Sequence, residues 1–219
     1  TNITNGIIHA FKEYDASEII MGLHEKKTDG DKFWGIFTPD LVNQLNRQII
    51  LCRCNRPLNT LRRILVAVPS RVEFEQGFYR WIERLARLAE NLSCRIIFHG
   101  RIESTSLINE YIRNQHSGVR AEYVLMEHWK EFTQLAQQMS SDHMLVVISA
   151  RQGTVSYKPV FERLPLELYR HYHEHNLMVV FPDQNGQSPE DMTFTAPQHH
   201  SLDSAYSSIV NWVMKKIDK

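Results

Sequence analysis

Ile64-Leu-Val-Ala-Val68, stopped by Pro69-Ser70, and His143-Met-Leu-Val-Val-Ile148, running into Ser149, decide the fold. A strand with one wet face alternates apolar and polar residues. A run that is apolar almost throughout is covered on both faces, which is the mark of a parallel sheet under helices. Working outward, Arg95-Ile-Ile-Phe98, closed by His99-Gly100, is a second strand and residues 121–126 a third. Leu177-Met-Val-Val-Phe181, ended by Pro182, is the fifth. Amphipathic stretches separate them. Residues 74–91 put Phe78, Trp81, Ile82, Leu85, Leu88 and Ala89 on one helical face. Residues 104–114 turn Leu107, Ile108 and Tyr111 inward, and residues 129–139 carry Phe132, Leu135, Ala136 and Met139. Residues 158–173 read as a loop passing into a helix, with Pro165 near a turn or kink. Residues 61–182 therefore predict one α/β domain, an open parallel five-stranded sheet with helices on both faces and right-handed crossovers.

The first 60 residues hold less. A helix over 6–14 turns Ile7, Ile8 and Phe11 inward, and Glu18-Ile-Ile-Met21 is a short strand. A polar loop (23–37) leads to a helix over 40–47, entered through Pro39, and to a strand over 48–52. Two strands bury too little to stand alone, so this segment packs on the main domain, on a partner chain or on residues upstream. Its order and spacing repeat those of residues 144–181, so it reads as the closing part of a first copy of the same module. The division is 1–60, 61–182 and 183–219. The last segment is an irregular stretch rich in Pro, Gln and His, then a helix over 203–217 with Tyr206, Ile209, Val210, Val213 and Ile217 on one face.

Lys plus Arg and Asp plus Glu are both 25 in 219 residues, so nothing global steers the chain to nucleic acid. No apolar run reaches the roughly 18–20 residues that cross a bilayer, and the start lacks a signal-peptide pattern. Thr1 in place of Met hints at a piece of something longer, either a fragment of a membrane protein or a processed cytosolic protein. Cys52 and Cys54 share one strand face, but zinc needs about four ligands, so they read as buried small hydrophobes with no metal. His171, His173 and His175 cluster at a helix end, with His199-His200 in the tail; they read as solvated side chains, without an HExxH pattern. No Gly-x-Ser-x-Gly elbow is present. The chain is expected to be neither an enzyme nor a cofactor carrier. Arg151, Tyr157 and Lys158 lie where open sheets take ligands, at the carboxyl end of the fourth strand. His24, Glu25 and Lys26 occupy the equivalent place in the partial copy.

This architecture resembles the universal stress protein family, as one full module over 61–182 and the end of another over 6–54. The resemblance implies an adenine nucleotide alpha hydrolase-like sheet in the order 3-2-1-4-5. It also implies, for nucleotide-binding members, an acidic residue after the first strand and a Gly-x2-Gly-x9-Gly-Ser/Thr run after the fourth. Here Gly22 and Gly35 keep the outer spacing, but the middle glycine is Glu25 and Ile36 follows Gly35. The second copy has only Ser149-Ala-Arg-Gln-Gly153-Thr154, and Pro69-Ser70 replace the acidic residue. Glu25 would repel a phosphate, so ATP is not expected to bind. Any small ligand falls to Gly22, His24, Glu25, Gly35, Arg151, Gly153, Thr154 and Lys158.

Gly6-Ile-Ile, Glu18-Ile-Ile-Met-Gly-Leu-His24 and Arg63-Ile-Leu-Val-Ala-Val-Pro69 carry a narrower resemblance. It is to the tandem stress-protein region that follows the membrane part of bacterial (Bacteroides-like) cation/proton (Na+/H+) antiporters. That resemblance implies a non-catalytic cytoplasmic regulatory or assembly domain of an inner-membrane protein, partnered by the membrane transporter portion of the same chain. The alternative is a free-standing tandem stress protein that binds a nucleotide or a partner protein. In this family last strands commonly pair antiparallel, which predicts residues 49–52 beside 177–181. The open side of residues 18–21 then predicts a homodimer.

Overall fold

The computed structural model describes residues 3–23, 34, 35 and 38–184, all within one compact unit. His24, Glu25, His199, His200 and the expected helix over 203–217 lie outside the described residues. The strands are β1 (Glu18–Gly22), β2 (Gln48–Arg53), β3 (Arg63–Ala67), β4 (Arg95–Gly100), β5 (Ala121–Leu125), β6 (His143–Ile148) and β7 (Asn176–Phe181). The helices are α1 (Ile3–Glu13), α2 (Thr38–Gln44), α3 (Phe78–Leu92), α4 (Ile102–Gln115) and α5 (Leu164–Tyr172).

The strands form one sheet in the order β1-β2-β7-β6-β3-β4-β5. From β7 to β5 every pairing is parallel, with Ile64 opposite Met144 on one side and Ile96 on the other. The sheet as a whole corrects the purely parallel five-stranded expectation: it has seven strands and is mixed. β2 runs antiparallel to β7, with Ile49 opposite Phe181 and Arg53 opposite Leu177, and β1 is parallel to β2. The pairs β1–β2 and β6–β7 thus meet through their last strands. The reason is the apolar edge of β7, whose residues are nearly all buried once β2 covers it.

The all-apolar runs behave as their composition requires. β6 is buried at every position, as is β3 after Arg63. On one face Leu65, Leu145, Val147, Leu177 and Val179 pack with Ile49, Leu51, Phe132, Leu164 and Leu168. α3 buries Phe78, Trp81, Ile82, Leu85 and Ala89 as expected, with Ala86 buried as well and Leu88 only half-buried. Residues 129–139 depart from the expected α-helix: Trp129–Gln138 wind as a 3-10 helix. Its buried residues Trp129, Phe132 and Leu135 are spaced by three, and a three-residue turn eclipses such positions on one edge. Pro165 causes no kink, because it sits in the first turn of α5, where its missing N–H costs nothing.

Candidate functional site

The chain runs from β3 out to β4 and β5, then returns to β6 on the other side of β3. The carboxyl ends of β3 and β6 are therefore the switch point, where open α/β sheets take ligands. Four segments meet there: residues 68–77 after β3, Arg101 before α4, residues 149–158 after β6, and residues 182–184 after β7.

Two carboxylates tie them together. Ser104 Oγ donates to Glu73 Oε2 at 2.6 Å, joining the turn Val72–Phe74 to α4. Glu75 is only 5% exposed and accepts from both the backbone N–H (2.9 Å) and the hydroxyl (2.5 Å) of Ser156. Gln184 Nε2 donates to the other Glu75 oxygen at 2.8 Å. A paired backbone N–H and hydroxyl is an anion seat, and the chain fills it with its own carboxylate. Beneath it, Gly77 lies against the backbone of Asp183: a Cβ there would stand 2.5 Å from both its N and O. Asp183 is buried and faces Arg80 Nε at 3.2 Å.

Arg151 sits in the same layer, but it faces inward. Nε donates to Val42 O (3.0 Å), one terminal nitrogen to Leu45 O (3.0 Å) and Arg47 O (2.6 Å), and the other to Pro182 O. The first three carbonyls lie in the last turn of α2 and just beyond it, where the helix leaves acceptors unpaired, and Pro182 O follows β7. Burial pulls Arg151 down to about 10, against the pull of Asp183 and Glu75, so it stays charged at neutral pH. It fastens the partial copy to the full module and has few donors left for a ligand. Thr154 turns back onto Arg151 O through its hydroxyl at 2.9 Å, and Gly153 has φ +85, a conformation that favours glycine.

Above this layer is a cationic rim. Burial pushes the Lys158 ammonium down, and Arg101 and then Arg71, which follow β4 and β3, push it further by like charge. Phe74, three residues after Arg71, is 59% exposed and lies in sequence between the two glutamates already spent on Ser104 and Ser156. Sequence reasoning found Lys158 but missed Arg71, Arg101 and Phe74. The signal was there, a cation shortly after each of the first two strands. In the first copy Gly22 ends β1 and Gly35 has φ +77, while their expected partners His24 and Glu25 lie outside the described residues. Of the histidines at the end of α5, His171 meets Glu167 at 3.4 Å, and His175 lies beyond the helix, where burial pushes it down.

No family model matches the chain, and no curated protein matches it. Among solved structures, a universal stress protein from Archaeoglobus fulgidus DSM 4304 superposes with a TM-score of 0.55 at 14% identity, over 83% of this chain and 67% of that one. The fold is that of a universal stress protein. Two Pseudomonas aeruginosa structures lie further off. One, provisionally described as a universal stress protein, from strain UCBPP-PA14, gives a TM-score of 0.49 at 15% identity, over 84% and 69% of the two chains. The other, a functionally unknown protein from strain PAO1, gives 0.47 at 17%, with the same coverage. Among the described residues no three His, Cys, Asp or Glu side chains come together to hold a metal ion. The reading as a membrane-protein fragment from an antiporter is corrected here. No helix among the described residues is long and apolar enough to cross a membrane, and none of these three structures is described as a transporter.

Proposed function

We propose that this domain of universal stress protein fold is a non-catalytic binding module that takes a small anionic molecule at the carboxyl rim of its sheet. Lys158, Arg71 and Arg101 supply the charge, Gly153 and Thr154 shape the adjoining loop, and Phe74 offers a flat apolar face. The observation that carries this reading is that Arg101 and Arg71 both act on Lys158 by like charge at the carboxyl end of the sheet, with Phe74 exposed three residues after Arg71. A charge-assisted hydrogen bond contributes about 1.5–3 kcal/mol, so two or three of them suffice for micromolar-to-millimolar binding. ATP is a poor candidate, because Glu75 holds the Ser156 seat that a second phosphate would need. We place its dissociation constant no tighter than about 1 mM.

Thermal shift against adenine nucleotides, cyclic dinucleotides and monovalent salts tests this. A ligand at about 100 times its dissociation constant adds roughly 2.7 kcal/mol, and at this chain length that raises the melting point by about 5–10 °C. Lys158→Ala should remove most of that rise. A rise that survives Lys158→Ala, or none with any compound tried, would count against the reading.

A further inference from the structure

Cys52, Cys54 and Met178 come together on the face of the sheet where the partial copy meets the full module. Cys52 stands directly opposite Met178 across the antiparallel β2–β7 pair, so both side chains leave on the same face. Opposed residues in such a pair have Cβ atoms about 4.5–5.5 Å apart. Cys54 lies two residues on, just past the end of β2, and the alternation of an extended chain sends its side chain to the same side as that of Cys52. The expectation that these cysteines are core hydrophobes is corrected, since Cys52 and Met178 are half-buried and Cys54 is exposed. On the other side of Cys52 the register places Gly22, and a Cβ there would meet nothing within 4 Å. The sulfurs therefore have an open flank.

We propose that Cys52, Cys54 and Met178 form a three-sulfur site for a soft monovalent metal ion, Cu(I). Ligand chemistry selects the ion. Two thiols and a thioether are soft donors, which suit Cu(I). Zinc takes four N, S or O ligands in a structural site, and no third His, Cys, Asp or Glu joins this pair among the described residues. A disulfide fits poorly, because i and i+2 Cα atoms of an extended strand stand about 6.7 Å apart, at the far end of the disulfide range. Both thiols lose their protons on binding, so affinity rises with pH.

The test is an anaerobic titration of the full reduced chain with Cu(I), in competition with a colorimetric Cu(I) chelator. The expected result is one tight Cu(I) per chain with an ultraviolet thiolate-to-copper band. Cys54→Ser, at an exposed position that leaves the core intact, should weaken binding by at least about 100-fold, and Met178→Leu by about 10-fold. Equal binding by wild type and Cys54→Ser would overturn the site. So would no binding at all, or a Met178→Leu variant that binds as tightly as wild type. Zn(II) held as tightly as Cu(I) would overturn the choice of metal.

Discussion

Replacing Arg151 separates its structural role from a ligand role. The guanidinium donates four hydrogen bonds to the carbonyls of Val42, Leu45, Arg47 and Pro182. Hydrogen bonds to a charged group contribute about 1.5–3 kcal/mol each, so a simple sum is roughly 6–12 kcal/mol. That sum is too large, because Arg47 is only part-buried and water can reach some of the freed carbonyls. Breaking one partner of a buried charged network typically costs about 3–5 kcal/mol, and we expect Arg151→Ala to fall there. For a chain of this length that is a drop of roughly 10 °C in melting point. Arg151→Lys should recover little, since one ammonium cannot reach carbonyls on separate segments. Urea denaturation followed by circular dichroism reads the loss. A cost below about 1 kcal/mol would refute the inward-facing arginine and return Arg151 to the ligand rim.

Gly77→Ala should cost about 1–3 kcal/mol by overpacking, because its Cβ would stand 2.5 Å from Asp183 N and O; an unchanged melting point would mean that residues 182–184 move aside freely. Burial pushes His99, His143 and His175 below the ordinary histidine value. The unfolded chain then binds more protons than the folded one in that window, so stability is full above about pH 6.5 and falls as pH drops below it. A flat urea midpoint from pH 7 to pH 5 would contradict this. The outer edge of β1 carries Ile20, 65% exposed, and we expect two chains to close over that edge as a homodimer. Sedimentation at micromolar concentration checks it, and a 25.7 kDa monomer throughout would rule it out.

The strands were legible because burial on both faces leaves an unbroken apolar run, as at Ile64 to Val68 and Met144 to Ile148. The antiparallel join of β2 to β7 followed from the repeat and the family resemblance rather than from the residues, since both strands are equally apolar. The 3-10 winding of Trp129–Gln138 was missed because apolar spacings of three and four look alike over one turn. Arg151 was misread for a different reason. A sequence does not say whether an arginine meets solvent or unpaired carbonyls, and here the acceptors come from residues more than 100 positions away. Glu75 and Ser156 were invisible for the same cause, a contact across 81 residues. Arg71, Arg101 and Phe74 could have been found by reading residues just after each strand as one rim.

The most direct test of the rim is amide chemical-shift mapping while the 15N-labelled chain is titrated with AMP. The account predicts saturating shifts at residues 71–74, Arg101 and Lys158, with Ser156 little changed because Glu75 still holds its N–H. Shifts centred on Ser156 with Arg71 and Arg101 silent, or none up to several millimolar, would contradict it.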